Sequence, residues 1–200
     1  MIVRQLMTKE PFTVAPTDTL ERAKSIMEAG RFRRIPVVAG TQIVGIISER
    51  DIRQHAGHLA HTLVDAAMTQ AVVTVTPSTT IEKAANLLLD RKVGGLPVVD
   101  DGRLVGIVTT TDIIRAFVKM LGIAEEGVSR IDLNLAGEMG ETAEVIGLIG
   151  PDVGAVLGVG TYRADWDGSQ VCYIRIRSGA ARRVADILTE NGYKVLAVHS

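Results

Sequence analysis

The strongest constraint on this chain is that a large part of it is written twice. Segment 7–52 returns at 68–113 with one constant shift of 61 positions and no gap. Met7-Thr8 reappears as Met68-Thr69, Thr13-Val14-x-Pro16 as Thr74-Val75-x-Pro77, and Ile35-Pro36-Val37-Val38 as Leu96-Pro97-Val98-Val99. Val44-Gly45-Ile46 becomes Val105-Gly106-Ile107, and Ser48-x-x-Asp51-Ile52 becomes Thr109-x-x-Asp112-Ile113. Agreement at apolar and at Gly/Pro positions alike implies two copies of one supersecondary unit, related by a pseudo-twofold.

Both copies read the same way. A short apolar strand (Thr13-Val14, Thr74-Val75) stops at a proline. A capping pattern, Asp18-x-x-Glu21 or Thr79-x-x-Glu82, then opens a helix. Leu20, Ala23 and Met27 recur at helical spacing, as do Ile81, Ala84 and Leu88, so each helix has one buried stripe. Two β-rich runs follow, Ile35–Val38 and Ile43–Ile47 joined through Gly40, matched by Leu96–Val99 and Leu104–Val108 joined through Asp101-Gly102. A second helix begins near Ser48 or Thr109. Each copy is therefore β-α-β-β-α, and two copies can pack strand face to strand face with helices outside.

The most specific local pattern is Gly45-Ile46-Ile47-Ser48-Glu49-Arg50-Asp51, repeated as Gly106-Ile107-Val108-Thr109-Thr110-Thr111-Asp112. It falls where a strand meets a helix. A hydroxyl there lies beside helix N–H groups that favour phosphate, and a carboxylate one turn later can accept two hydrogen bonds from a ribose diol. Glycine would keep that approach open. The same spacing is also a helix cap that needs no ligand, and both roles are open at this point.

With these residues the front of the chain, about 1–120, resembles a pair of CBS domains, the tandem arrangement called a Bateman module. The resemblance implies a cleft between the copies that binds an adenosine derivative: AMP, ADP, ATP or S-adenosylmethionine. Carried over by position, Asp51 and Asp112 would hold ribose hydroxyls, with Ser48 and Thr109 near the phosphate or sugar. Thr13, Val14, Ile35 and Pro36, with Thr74, Val75, Leu96 and Pro97, would line the adenine slot. The copies part company at Arg31-Phe32-Arg33-Arg34 against Lys92-Val93-Gly94-Gly95. Arg33 and Arg34 can clamp a phosphate where two glycines cannot, so unequal sites are expected. A solvated edge or a dimer contact is the competing reading of those arginines.

Little else carries chemistry. Asp51, His55 and His58 share one face if the helix runs on, a possible metal set set against a plain exposed linker through Gly57. Gly158-Val159-Gly160 lacks the strand-to-helix context of a dinucleotide fingerprint and reads as a loop or strand start. No Walker-type loop, His-Glu-x-x-His or Gly-x-Ser-x-Gly exists, so no nucleophile and base are visible, and neither catalytic nor metal residues are assigned. With 22 basic and 23 acidic residues the chain has no global field for polyanions, so nucleic acid is not an expected partner. Residues 1–120 carry 15 basic and 12 acidic side chains, leaving the acidic excess in the rest. One cysteine, Cys172, allows no internal disulfide and fits a reducing cytoplasm as a structural thiol. MIVRQLMTKE has no apolar core of a signal peptide, and no run is long enough to span a membrane.

Repeats over 1–61 and 62–120 would be followed by a linker, 121–128, and a domain over 129–200. Alternation at Ile131, Leu133 and Leu135 marks a strand with one buried face. A helix over Gly140–Ile149, strands near Val156–Ala164 and Gln170–Arg177 joined by Asp165–Gly168, a helix Ala180–Glu190 and a strand Lys194–His199 complete βαββαβ. Cys172, Ile174 and Ile176 should share the buried face. That order is ferredoxin-like and resembles an ACT domain. The resemblance implies pairing and an effector at Gly137–Glu141, where Glu138 and Glu141 would repel a carboxylate; dimerisation alone is the preferred reading. Arg175 and Arg177 would be an interface or solvated. A CBS pair with an ACT-like domain resembles regulators of the acetoin-utilisation type. The chain is expected to be an α/β (α+β) non-enzymatic sensor, a cytoplasmic homodimer needing no obligatory cofactor, acting on an unknown regulated protein. A structural dimerisation protein whose aspartates only cap helices, and a nucleotide-using enzyme, are the alternatives.

Overall fold

The computed structural model of the chain describes residues 1–123, 126–135, 141–150, 156–164, 168–177 and 179–199. The chain divides into two compact units, Met1–Ala116 and Phe117–Ser200.

Each half of the first unit is a hairpin with helices before and after it. The first half runs α1 (Leu20–Gly30), β2 (Arg34–Ala39), β3 (Gln42–Ser48) and α2 (Glu49–Gln54). The second runs α3 (Ile81–Asp90), β4 (Gly95–Asp100), β5 (Arg103–Thr109) and α4 (Thr110–Met120), the last of which passes the unit boundary after Ala116. The hairpins share one register: Ile35 faces Ile47, Leu96 faces Val108, and both slip by a residue after Val37 or Val98. Leu20, Ala23 and Met27 of α1 bury against Ile35, Val37 and Ile47. Their counterparts Ile81, Ala84, Leu88, Leu96, Val98 and Val108 are buried too. The caps sit one residue later than the sequence suggests. Thr19 accepts from Arg22 N and Thr80 from Lys83 N, while Asp18 and Thr79 close the preceding turns by accepting from Ala15 N and Thr76 N. Thr13-Val14 and Thr74-Val75 form no strand; only Val14 and Val75 bridge, in parallel, to Val37 and Val98.

The two halves are interlocked. β1 (Thr8–Lys9) belongs in sequence to the first copy but pairs with β5 of the second, Thr8 opposite Ile107. Reciprocally, Thr69 bridges Ile46 of the first copy. Val3 N donates to Thr79 O and Val64 N to Asp18 O, each at 2.8 Å. Val64 is fully buried and completes the first core. This exchange explains the repeated glycines. A Cβ on Gly45 would lie 2.4 Å from Met68 Sδ, and one on Gly106 would lie 2.7 Å from Met7 Sδ and 2.9 Å from Thr8 O. The expectation that these glycines open a path for ligand is replaced by a packing cause: they admit the crossing segment.

The second unit contains β6 (Val128–Leu135), α5 (Glu141–Ile149), β7 (Val156–Arg163), β8 (Gln170–Arg177), α6 (Ala181–Glu190) and β9 (Lys194–His199). Its antiparallel sheet has the order β7-β8-β6-β9, which is the ferredoxin-like βαββαβ arrangement. Ile131, Leu133, Cys172, Ile174 and Ile176 meet Val145, Ile149, Val184 and Leu188 in one core. Gly158 and Gly160 lie inside β7, and a Cβ on Gly160 would collide with the Tyr173 ring. The opposite face of β6 is not simply solvated as its alternation suggests. Asp132 is only 8% exposed, held by Arg130 Nε at 2.6 Å, with His199 Nε2 at 3.4 Å. Arg130 in turn lies over the Tyr173 ring. Arg175 Nη1 reaches Gly122 O at 3.5 Å, so this arginine ties the sheet to residue 122 instead of standing in solvent. Glu138 and the loop 137–140, Asp165–Asp167, and Glu125 lie outside the described residues, while Glu141 opens α5.

Candidate functional site

Two cavities open between the copies of the first unit, and they are symmetry mates in sequence. The first, about 500 Å³, is lined by Ser48, Glu49, Arg50 and Asp51 from one copy and by Thr69, Ala71–Val73 and Lys92–Gly95 from the other. The second, about 660 Å³, is lined by Thr109–Asp112 together with Thr8–Phe12 and Arg31–Arg34. Both volumes suit a small organic ligand. Each cavity thus joins the Ser/Thr-x-x-Asp turn of one copy to the crossing segment and post-helix turn of the other. Arg33, Arg34 and Gly94 line both.

The turn geometry is the same twice. Asp51 Oδ2 accepts from Ser48 N at 2.8 Å and from Ser48 Oγ at 2.6 Å, and Asp51 N donates to Ser48 Oγ at 3.4 Å. Asp112 Oδ2 accepts from Thr109 N at 2.9 Å and Thr109 Oγ1 at 2.6 Å, with Asp112 N donating at 3.4 Å. These are reciprocal capping boxes. The cap uses one carboxylate oxygen, so the other keeps its lone pairs for hydroxyl donors; at Asp112 it also receives Arg115 Nη1 at 3.4 Å. Capping and diol binding are compatible at one residue. The helix N–H groups, in contrast, are largely spent. Glu49 N donates to Arg33 O and Thr110 N to Gly94 O, beside the capped Asp51 N and Asp112 N. An anion here must therefore look to side chains and not to a free helix end.

Those side chains are basic. Arg33, Arg34, Arg50, Arg53 and Lys92 line the first cavity against Glu49 and Asp51. Lys9, Arg31, Arg33 and Arg34 line the second against Glu10 and Asp112. Arg34 has an unusual position: its Nη1 is buried without a hydrogen-bond partner. A Cβ on Gly94 would lie 2.3 Å from that atom, and one on Gly95 would lie 2.9 Å from Arg34 Cδ. Burial, and secondarily the neighbouring Arg33 charge, hold the Arg34 guanidinium below its ordinary range. Arg34 is neither a solvated edge nor free to turn outward, because the second copy's glycines receive it.

Among the other residues singled out from sequence, Ile35, Leu96, Val14 and Val75 are buried in the cores. Pro36 lines the second cavity, Pro97 is buried, and Thr13 and Thr74 are exposed. Arg33, Arg34, Ser48, Asp51, Thr109 and Asp112 line the cavities as well, whereas two further lining segments, Thr8–Phe12 and Thr69 with Ala71–Val73, escaped sequence reasoning although Met7-Thr8 and Met68-Thr69 repeat in register. Phe12 and Phe32 stack at the second cavity, 5.7 Å between centroids, where the first cavity has Val73 and Val93. α2 ends at Gln54, so His55 and His58 do not continue the face of Asp51. Among the described residues no group of three potential ligands could hold a metal. Likewise no described helix is long and apolar enough to cross a membrane.

Comparison with known proteins agrees with this geometry. The CBS domain profile matches residues 3–58 and 64–119. A CBS domain-containing protein of Dictyostelium discoideum is 34% identical over 136 residues, covering 60% of this chain and 94% of its own. The crystal structure of CBSX2 in complex with AMP superposes with a TM-score of 0.54 at 29% identity, over 60% of this chain and 97% of that one. A Vibrio cholerae protein assigned to acetoin utilization, AcuB, gives 0.56 at 32% identity over 63% and 96%. The CBS domain pair of MJ0100, in complex with 5-methylthioadenosine and S-adenosyl-L-methionine, gives 0.55 at 30% over 60% and 97%.

Proposed function

The chain belongs to the CBS-domain family, and on that premise we propose that it is a non-enzymatic regulatory protein that binds an adenosine derivative between its two CBS repeats. The observation that carries this reading is the pair of equivalent cavities, each presenting an aspartate whose second oxygen lies outside the cap, beside a surplus of basic side chains. Asp51 and Asp112 would take the ribose hydroxyls, Ser48 and Thr109 the adjoining sugar or phosphate oxygens, and the arginines the phosphate. The adenine would rest on the apolar side, Pro36, Phe12 and Phe32 in the second cavity and Val72, Val73 and Val93 in the first. The relatives that carry AMP or S-adenosylmethionine support this ligand class.

The repeats would occupy 1–61 and 62–120, with a linker to the ferredoxin-like domain over 129–200. That domain would serve as an ACT-like pairing module of a cytoplasmic homodimer, and acetoin utilisation is a process in which such a regulator would act on a partner protein. A thermal-shift panel of AMP, ADP, ATP, NAD and S-adenosylmethionine tests the reading. A ligand at about 100 times its Kd adds about 2.7 kcal/mol to stability. A structural reading, in which the aspartates only cap helices, draws on the completeness of both capping boxes; it requires that no compound in the panel shifts the melt.

A further inference from the structure

Resting on that reading, we propose that Arg34 is one half-buried counter-charge shared by both cavities, so that an anionic ligand in one cavity weakens the binding of an anionic ligand in the other. Three observations converge on it. Arg34 lines both cavities, whereas its equivalent in the second copy is Gly95, so the pseudo-twofold supplies one guanidinium at this position and not two. Its Nη1 is buried and unpartnered among the described residues, a state whose desolvation cost is offset only when an anion arrives. Gly94 and Gly95 leave no space that a side chain of the second copy could fill, which locks the arginine between the two sites.

Electrostatics then sets the sign. A planar guanidinium presents its donors as a fixed fork and satisfies one phosphate bidentately in one orientation. A second phosphate finds the fork engaged and the local positive charge already neutralised. Arg33 also lines both cavities but is exposed, so water screens it. A neutral ligand makes no demand on Arg34 and should bind the two cavities independently. The duplicated fold thereby turns two similar sites into one antagonistic pair for phosphorylated ligands alone.

The test is calorimetric titration of the full chain with AMP and with adenosine. Proteins compared are the wild type, Asp51→Asn and Asp112→Asn, which each disable one cavity while an amide oxygen retains the cap, and the same three carrying Arg34→Met. Methionine preserves the aliphatic packing against Gly95 and removes the charge, and Arg34→Lys serves as the charge-restoring control. Expected for AMP is a second step in the wild type about tenfold weaker than the same cavity measured alone, within the usual range of coupling between sites. Adenosine should show no such difference. Arg34→Met should abolish the coupling and most of the preference for AMP over adenosine at both cavities, and Arg34→Lys should restore part of each. A second AMP step seen only after the other cavity is disabled is the extreme form of the same result. AMP constants in the wild type equal to those of the single-cavity variants, AMP binding confined to one cavity in every variant, or an AMP preference untouched by Arg34→Met would overturn the sharing while leaving the ligand reading intact. Absence of binding by both compounds at about 1 mM, which means an affinity weaker than about −4 kcal/mol, overturns both.

Discussion

The two cavities share a backbone and differ in what is hung on it. Around the first, the turn Ser48–Asp51 faces Val73 and Val93; around the second, Thr109–Asp112 faces Phe12 and Phe32, while Arg33, Arg34 and Gly94 are common to both. The hydrogen bonds that shape the two turns agree within 0.1 Å, from 2.6 Å at the hydroxyl to 3.4 Å at the aspartate N–H. The lesson is that duplication preserves the parts that hold the chain in place, namely caps, hairpin register and crossing glycines, and leaves the ligand-facing side chains free to diverge. A binding asymmetry can therefore arise with no asymmetry of fold.

The largest expected effect breaks the symmetry of that scaffold. Deleting residues 1–9 removes β1, the buried Val3 and its bond to Thr79, all of which serve the second copy. Loss of one buried aliphatic side chain and several backbone bonds should cost about 4 kcal/mol. Hydrogen exchange should then rise first in β5 and α3, with β2 and β3 less affected; uniform exposure of both hairpins would contradict the interlocked arrangement. Next in size, Gly106→Val should destabilise by about 3 kcal/mol and Gly45→Val by less, near 1 kcal/mol, in denaturant titrations. The difference follows from what each new side chain would meet. At Gly106 that includes the rigid Thr8 carbonyl, while at Gly45 it is the flexible end of Met68.

Smaller effects separate binding from folding. Phe12 is 66% exposed and stacks on Phe32, so Phe12→Ala should leave the melting temperature nearly unchanged. It should nonetheless weaken adenosine binding in the second cavity about tenfold, the scale of one base stacking on an aromatic side chain. Val73→Ala at the equivalent place should do much less. The smallest effect lies in the other unit. Burial pushes the Cys172 thiol up to about 11 from 9.0, with Asp132 adding to the shift. The neutral thiol is favoured in the folded state, so its contribution to stability is complete below pH 9 and is lost as pH rises through about 11. Alkylation of the native protein near pH 8 should be far slower than of the unfolded chain.

How much of this was legible in the sequence follows from the same contrast. The hairpins, α1 and α3, and the Ser/Thr-x-x-Asp turns were readable because local chemistry specifies them, and the repeat confirmed each one. The ferredoxin-like order was readable from alternation and stop signals, with β8 and β9 found at the expected residues. What was not legible depends on contacts between distant residues. Nothing local says that Met68 lies on Gly45, that Thr8 pairs with Ile107, or that Arg34 reaches Gly94. Asp132 is another such case: local alternation places a polar residue on the strand's second face, and only the fold brings Arg130 and His199 onto it. The cavity linings at Thr8–Phe12 and Thr69–Val73 were missed because they lack secondary structure over most of their length, though their repetition was visible.

The most direct measurement is calorimetry of AMP binding to the wild type beside Asp51→Asn, Asp112→Asn and the double variant, with melting curves to confirm that each remains folded. The account predicts that each single change removes one binding event, that the double change removes all binding, and that the melts fall by no more than about 1 kcal/mol, the scale of a weakened helix cap. Binding of AMP that persists with unchanged affinity in the folded double variant would contradict it, because the two aspartates would then be caps and nothing more.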